Sequence, residues 1–300
     1  MNFFKMLLMM AQKPLYGGQA IVQGVMMRGK NHYATAVHNE QGLQVDVFPF
    51  KSARSRFKPL GWPFIRGIVA FVEAMVIGYK SLMHSANVAA AEEDGEEMNM
   101  WLLIGTVAVS IAFGLALFKF LPLGIATGLD ALFPVPSWLF NVIDGVVTLM
   151  IFVLYLYLIG RADDIKDLFR YHGGEHKAIN CMENGKSLSL KNILGSSQVH
   201  LRCGTTFIFV VFLLSILVYI AIPKTLPFFV NLGVRIALLP LIAAISFELQ
   251  QFSARKNIWL FRTLITPGLW LQALTVNTPR PKHARAARAA LEAVIAADKK

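Results

Sequence analysis

The chain has 300 residues, 55% of them hydrophobic, and a formal net charge of +11 at pH 7. A mean hydropathy of +0.53 excludes an ordinary soluble protein and indicates that long stretches are solvated by lipid. The basic residues are dispersed, so they indicate orientation in a bilayer and attraction to its anionic headgroups, and no nucleic-acid partner is expected. We therefore predict a membrane protein whose water-facing part is one modest domain built from separate segments.

The first sixty residues predict a small soluble sheet. Residues 1–15 are apolar but too short to span a bilayer, so they are interpreted as a surface segment. Residues 16–60 form a β segment, with strands expected at 19–23, 33–37 and 43–48. A hairpin turn is expected at Asn39-Glu40-Gln41-Gly42, and the glycines near residues 17 and 24 are interpreted as turns or a bulge in preference to ligand contacts.

Residues 62–85 predict a helix that starts near Pro63 and is either interfacial or embedded in the membrane. Its Glu73 is expected to face a polar partner, because a carboxylate is costly in lipid. An acidic run follows, and residues 86–100 are interpreted as a solvated linker.

Four apolar runs are long enough to cross a bilayer, which takes about twenty helical residues. They cover 101–121, 137–160, 204–222 and 228–250. They predict two hairpins, the first over 101–160, with Pro122, Pro134 and Pro136 in its connection, and the second over 204–250. Basic residues are concentrated between the hairpins and after the last run. The positive-inside rule therefore places the N-terminus, segment 161–203 and the C-terminus in the cytosol.

The last two segments are predicted to lie outside the bilayer core. Residues 251–278 are apolar and aromatic but interrupted at Pro267-Gly268, which predicts an interfacial segment. Residues 279–300 predict a basic C-terminal helix that is solvated. The predicted fold class is an α-helical multi-pass protein of the cytoplasmic (inner) membrane. It has four transmembrane helices in two hairpins, a further embedded or interfacial helix, and a small cytosolic β-containing (α+β) domain.

The stretch Tyr171-His172-Gly173-Gly174-Glu175-His176-Lys177 has the composition of a metal site. On a helix, His172 and His176 would share a face, with Glu175 beside them. Their order, H-x-x-E-H, is that of inverted zinc-protease motifs, in which the glutamate is the general base. Two adjacent glycines weaken a helix by about 1 kcal/mol each, so a turn is the alternative conformation.

A metal at this stretch needs further ligands from elsewhere in the chain. His200 and Cys203 lie directly before the third apolar run, and Cys181 is another candidate. Both cysteines are expected to stay reduced in the cytosol. Zinc is the expected ion. Three protein ligands with an open position would make a catalytic site, whereas four would close a structural one.

Two functions follow from these alternatives. An open site favours metal-assisted hydrolysis, with Glu175 accepting a proton from water and Arg28 or Lys177 stabilising an anionic intermediate. A closed site favours a membrane scaffold or assembly factor without enzymatic activity. Such a protein would act through a second copy of the chain or another membrane protein.

Asp144, Arg235 and Glu248 lie within the apolar runs, where charged groups are costly. Arg235 and Glu248 belong to one run but are too far apart for a direct pair, so each needs another partner. A buried polar network is favoured for Asp144 over a polar pathway. Transport of a small solute or ion is the third candidate function and depends on these three residues alone.

Several separated motifs, in the same order, resemble the YqhQ-like bacterial membrane proteins, domain of unknown function 1385. They span 16–28, 66–67, 171–177, 200–205 and 266–272, so the resemblance covers about residues 16–278. It implies a metal-dependent membrane protein with ligands at His172, Glu175, His176, His200 and Cys203. The chain departs from the family pattern at two positions. Gln23 replaces the usual glutamate, and Leu201 replaces the usual proline after the histidine.

Overall fold

The computed structural model describes residues 16–90, 100–255 and 259–299. The predicted surface segment 1–15 and the acidic run at 92–97 lie outside the described residues. The described helices, in chain order, are α1 (Ala53–Arg56), α2 (Ile65–Ala90), α3 (Met100–Leu115), α4 (Leu121–Leu132), α5 (Ser137–Ile159), α6 (Asp163–Glu183), α7 (Leu190–Leu194), α8 (Gly204–Tyr219), α9 (Phe228–Arg255), α10 (Trp259–Thr275) and α11 (Pro281–Asp298).

The sheet is an antiparallel meander of four neighbouring strands, β1 (Gly17–Ile21), β2 (Gly24–Arg28), β3 (His32–Asn39) and β4 (Gly42–Pro49). Asn39 pairs with Gly42, so the predicted hairpin turn is present. Strand β2 was not predicted, because its residues do not alternate between apolar and polar. Val25 and Met27 contribute to a core with α6 and α11, while Met26 packs on the opposite face with Ile77 of α2. A strand buried on both faces shows no alternation.

The C-terminal helix α11 is part of the soluble core, which differs from the predicted solvated helix. Ala284, Ala287, Leu291 and Val294 recur every three or four residues and are fully buried. The helix packs on β2, β3 and α6. Small side chains at this spacing let a helix approach its neighbours closely, and their low hydropathy concealed that face in the sequence.

In the part of the chain that the structure describes, three helices are long and apolar enough to cross a membrane, over Gly105–Leu132, Ser137–Ile159 and Phe228–Ser253. The fourth predicted run forms α8, which has only 16 residues, so the predicted number of four spans is not confirmed. The first helix continues to Leu132 instead of ending at residue 121. Pro122 was predicted to lie in a connection, but it lies within this helix. A π-helical turn over Ala116–Phe120 directly precedes it and accommodates its missing N–H.

The predicted interfacial segment 251–278 contains helix α10, which continues through Pro267 without the expected interruption. It packs on α8 and, less extensively, on α5 and α9. A proline inside a helix is tolerated where neighbouring helices support the backbone. This continuous helix brings Gln272 and Thr275 next to the start of α8, where they contribute to the site described below.

A buried polar cluster joins α5, α8 and α9. Arg235 is 1% exposed and donates hydrogen bonds to Asp144 and Asn141 of α5 and, at 2.6 Å, to Asn231 of its own helix. The hydroxyl of Tyr219 donates to the Arg235 carbonyl at 2.9 Å. This Arg235 cluster therefore has a protein acceptor for each of the three guanidinium nitrogens and gives Asp144 a charged partner.

Candidate metal centre

The two histidines of the H-x-x-E-H sequence lie on one face of α6, which is continuous through both glycines. The rings of His172 and His176 are 4.4 Å apart between centroids. Four residues of helix bring two side chains onto the same side one turn apart. The alternative of a turn at Gly173-Gly174 is therefore not what the structure has.

The two glycines make room for the chain that leads into α11. A Cβ atom on Gly173 would overlap the carbonyl oxygen of Asn277, and one on Gly174 would lie 2.9 Å from the carbonyl oxygen of His283. Any larger residue would push this segment away from α6. The glycines thus weaken the helix by their own propensity but permit its contact with the C-terminal segment.

Backbone carbonyls fix the orientation of both rings. Nδ1 of His172 lies 2.9 Å from the carbonyl oxygen of Thr275, and Nδ1 of His176 lies 2.6 Å from that of Gln198. A carbonyl only accepts hydrogen bonds, so each Nδ1 is assigned the proton and each Nε2 keeps a lone pair. Metal-binding histidines usually donate their other ring N–H in this way.

Cys203 completes a group of three possible ligands. Its Sγ lies 3.4 Å from Nε2 of His172, and the ligand atoms of His172, His176 and Cys203 all lie within 4.8 Å of one another. Nitrogen and sulfur ligands at about 2.0 and 2.3 Å from a tetrahedral zinc are separated by about 3.5 Å. The donor types and the Cys203–His172 separation fit a zinc site.

Glu175 lies beside these ligands in the buried interior. Its Oε2 is 3.6 Å from Nε2 of His176 and 3.9 Å from Nε2 of His172. On the other side, a Cβ on Gly18 of β1 would be only 2.8 Å from the Glu175 Cγ. A glycine at position 18 therefore lets β1 pack directly against the Glu175 side chain. The glycine serves this close approach, whereas a turn or bulge was expected there.

His200 lies near the group of three but outside it. Its ring centroid is 5.6 Å from that of His176, and its buried Nε2 has no hydrogen-bond partner among the described residues. Oε2 of Glu183 lies 3.6 Å from this nitrogen. A buried imidazole nitrogen without a partner is uncommon, because it loses its hydrogen bond to water.

Two glutamine amides hold the turn from His200 to Cys203. The side chain of Gln272 accepts from the His200 amide at 3.1 Å and donates to its carbonyl at 2.8 Å. Gln250 donates to the carbonyls of Leu201 and Cys203 at 3.2 and 3.1 Å. These amides fix the turn although Leu201 replaces a proline. Sequence analysis gave neither glutamine a role, although an amide within an apolar stretch was a usable signal.

Glu183 at the end of α6 was also missed. It forms an ion pair with Arg202 and lies next to His200. Burial alone would raise the pKa of its carboxyl, but the interactions with His200 and Arg202 outweigh burial and lower the pKa to about 2. Glu183 therefore carries negative charge beside His200 throughout the neutral range.

Three other predicted site residues lie elsewhere. Cys181 is fully buried in the core with its Sγ 3.4 Å from the Ser187 carbonyl. Lys177 donates to the carbonyls of Leu194 and Ser196, both at 2.7 Å, so it caps the end of α7. Arg28 pairs with Glu73 at 2.6 Å. None of the three joins the His172, His176 and Cys203 group.

Glu73 and Glu248, predicted as polar groups within apolar surroundings, both have cationic partners. Glu73 accepts from Arg28 and from the Ser52 hydroxyl at 2.7 Å. Glu248 accepts two hydrogen bonds from Arg66, at 2.8 and 2.6 Å. The latter pair links the first turn of α2 to the last turns of α9.

Comparison with known proteins gives two matches. The model of the family described as "Protein of unknown function (DUF1385)" matches residues 62–297. The Bacillus subtilis (strain 168) protein named "Uncharacterized protein YqhQ" is 33% identical over 291 residues, covering 91% of this chain and 90% of that protein. No solved structure matches.

Proposed function

The chain belongs to the DUF1385 family, and we propose that it is a zinc-dependent hydrolase of the cytoplasmic membrane. One observation carries the proposal: two Nε2 atoms and one Sγ converge from α6 and from the start of α8, with a buried carboxylate beside them. Three protein ligands leave a tetrahedral ion one open position, as in catalytic zinc sites.

In this mechanism the chain's own residues have separate tasks. His172, His176 and Cys203 would hold zinc, which supplies a Lewis acid and activates water near neutral pH. Glu175 would accept the proton at Oε2, 3.6 Å from the nearer histidine nitrogen, and return it to the leaving group. The carbonyls of Thr275 and Gln198 keep both rings in the ligating tautomer. Arg28 and Lys177 have other partners and receive no catalytic task.

Metal analysis of the purified full chain tests the proposal. We expect close to one zinc per chain, and a loss of most of it in His176→Ala and Cys203→Ala. Cys181→Ala is the matched control, because it removes a buried thiol outside the group and should leave zinc content unchanged. If the chain, purified without chelator, contains less than about one-tenth of a metal ion per chain, the proposal is wrong.

The unpartnered Nε2 of His200 favours a second candidate function. A rotation of this side chain toward the group would add a fourth protein ligand and close the site. The metal would then be structural, and the protein would be a membrane scaffold. X-ray absorption of the zinc-loaded chain decides between the two. A sphere that loses one nitrogen in His200→Ala supports the scaffold, and an unchanged sphere with one water supports the hydrolase.

We place the metal centre on the cytosolic side, because the basic residues of segment 161–203 and those after α9 flank the apolar helices on that side. A reporter fused after residue 300 tests this orientation. Green fluorescent protein should fluoresce there, whereas activity of an alkaline phosphatase fusion, which needs export, would contradict the assignment.

A further inference from the structure

A large cleft lies next to the metal centre, between the sheet and the ends of α2 and α9. Its volume is about 670 Å³. Gly18, which covers Glu175, forms part of its wall, as does Arg202, the residue before Cys203. Gly18 and Arg202 therefore connect the wall of the cleft with the residues of the candidate metal centre.

One side of the cleft is cationic. Its lining includes Arg28, Lys30, Arg54, Arg66 and Arg202. Glu73, Glu248 and Glu183 pair with the arginines, so five cations meet three carboxylates. Arg54 is the least firmly paired, because its guanidinium is 3.6 Å from Glu73 and its side chain is 34% exposed. Burial lowers the pKa of Arg54, and the adjacent charges of Arg28 and Arg66 act in the same direction, against the opposing effect of Glu73.

Part of the cleft lining is apolar. Ala70, Ala74 and Ile77 line it from one face of α2, and Phe247 and Phe252 line it from α9. The adjacent faces of α2 carry exposed apolar residues, among them Val72 at 53% and Met75 at 55%. Apolar side chains this exposed indicate contact with lipid, so the apolar wall lies at the membrane boundary.

One residue of the lining also carries a buried acceptor. Gln251 lines the cleft, and its Oε1 is buried without a hydrogen-bond partner among the described residues. A buried amide oxygen is costly unless it accepts a hydrogen bond. A hydroxyl group on the occupant of the cleft would satisfy it.

We propose that this cleft binds one anionic phospholipid, with the phosphate against the arginines, a headgroup hydroxyl near Gln251, and the acyl chains along α2 and α9. Guanidinium groups match phosphate in geometry and charge, and they keep their charge when partly buried. The proposal goes beyond the proposed function and does not depend on it, because the phosphate is held by arginines and not by the metal.

Lipid titration of the full chain, delipidated in a neutral detergent and treated with chelator, tests the proposal. Native mass spectrometry would count bound phosphatidylglycerol, with phosphatidylcholine as the zwitterionic comparison. We expect one saturable phosphatidylglycerol per chain. Arg54→Gln should weaken binding about tenfold, since a charged hydrogen bond contributes about 1.4 kcal/mol. Ala74→Phe, which narrows the apolar side, should weaken it as well.

The control is Arg288→Gln, which removes the same charge from an exposed ion pair on α11, away from the cleft. It should leave lipid binding unchanged. Equal weakening by Arg54→Gln and Arg288→Gln, or no saturable site, would overturn the proposal.

Inorganic phosphate is the soluble probe. Competition with phosphatidylglycerol supports the phosphate contact, whereas phosphate binding by a chain that binds no phosphatidylglycerol overturns the lipid assignment. Because the protein is metal-free, a failed zinc proposal does not affect these results.

Discussion

The Arg235 cluster between the apolar helices and the His172, His176 and Cys203 group are both buried and polar, but their hydrogen bonding differs. Each guanidinium nitrogen of Arg235 has an acceptor on α5 or α9. In the histidine group, the Nδ1 atoms have carbonyl partners, while both Nε2 atoms and the cysteine sulfur face one another. Among these three atoms the weak S–H group of Cys203, 3.4 Å from Nε2 of His172, is the one hydrogen-bond donor, and such a surplus of lone pairs is expected where a cation binds.

The Arg235 cluster and the histidine group are two different uses of buried polar residues. A cluster in which donors match acceptors stabilises helix packing, and removing one member leaves a buried charge. A cluster of converging acceptors is incomplete without its ligand, so ligand binding determines its stability. Substitutions in the Arg235 cluster should therefore change folding stability, and substitutions in the histidine group should change metal binding.

The largest expected effect is in the Arg235 cluster. Arg235→Met should destabilise the chain by about 3 to 5 kcal/mol, because Asp144 is left charged in an apolar environment. The double variant Arg235→Met with Asp144→Leu should recover much of this loss. Thermal unfolding in detergent measures both, and metal content should stay at the wild-type level. If single and double variants are equally unstable, Asp144 does not depend on Arg235.

The next effect concerns metal removal. At a free zinc concentration about 100-fold above Kd, bound metal adds about 2.7 kcal/mol to the stability of the folded state. Chelation should therefore lower the unfolding midpoint of the wild-type chain but not that of His172→Ala. The Arg235→Met variant should keep the chelator-dependent shift. Equal shifts in wild type and His172→Ala would mean that the ligands lie elsewhere.

Gly173→Ala should cost about 1 to 3 kcal/mol, although alanine favours helices over glycine. The new methyl group overlaps the Asn277 carbonyl and displaces the segment whose Thr275 carbonyl orients His172. The unfolding midpoint and the zinc affinity should both decrease in this variant. Gly128→Ala in α4 is the control, because no atom lies within 4 Å of its added Cβ. If both variants gain stability, the glycine is not required for this contact.

Some residues of the candidate metal centre could be predicted from the sequence, and others could not. The histidine spacing, the cysteines and the family motifs gave five candidate ligands, His172, His176, His200, Cys203 and Cys181, because each lies in a local pattern. The structure brings three of them together, and the sequence did not single out those three. The position of Gln250 and Gln272 within apolar stretches marked them as unusual, but their partners were not predictable, since the contacts join segments about fifty or more residues apart. Likewise, the burial of α11 depends on a sheet more than two hundred residues earlier, which alanine spacing alone does not reveal.

The substitution with the smallest expected effect on stability is at Asp298. Its surroundings are intermediate between the Arg235 cluster and the histidine group. It is fully hydrogen-bonded like Arg235 but lies at the edge of the soluble part, where it accepts from the amides of Lys30 and Asn31 at 2.6 and 3.0 Å and from His32 at 3.0 Å. Burial raises the pKa of its carboxyl, but these hydrogen bonds outweigh burial, so the net pKa is lowered. The carboxylate therefore stabilises the fold above its unfolded-state pKa of about 4, and this stability is lost as the pH falls through the lower folded-state pKa.

Asp298→Asn should consequently cost about 1 kcal/mol at neutral pH, through loss of charge-assisted hydrogen bonds that fasten α11 to the β2–β3 turn. The difference from wild type should shrink as the pH is lowered below about 4, because the wild-type carboxyl is then protonated as well. Unfolding midpoints measured across this pH range test the expectation, with the exposed Glu292→Gln as control, for which we expect less than about 0.5 kcal/mol. A cost that is independent of pH would show that the charge of the Asp298 carboxylate does not contribute to holding α11. Asp298 would then resemble neither the Arg235 cluster nor the metal centre.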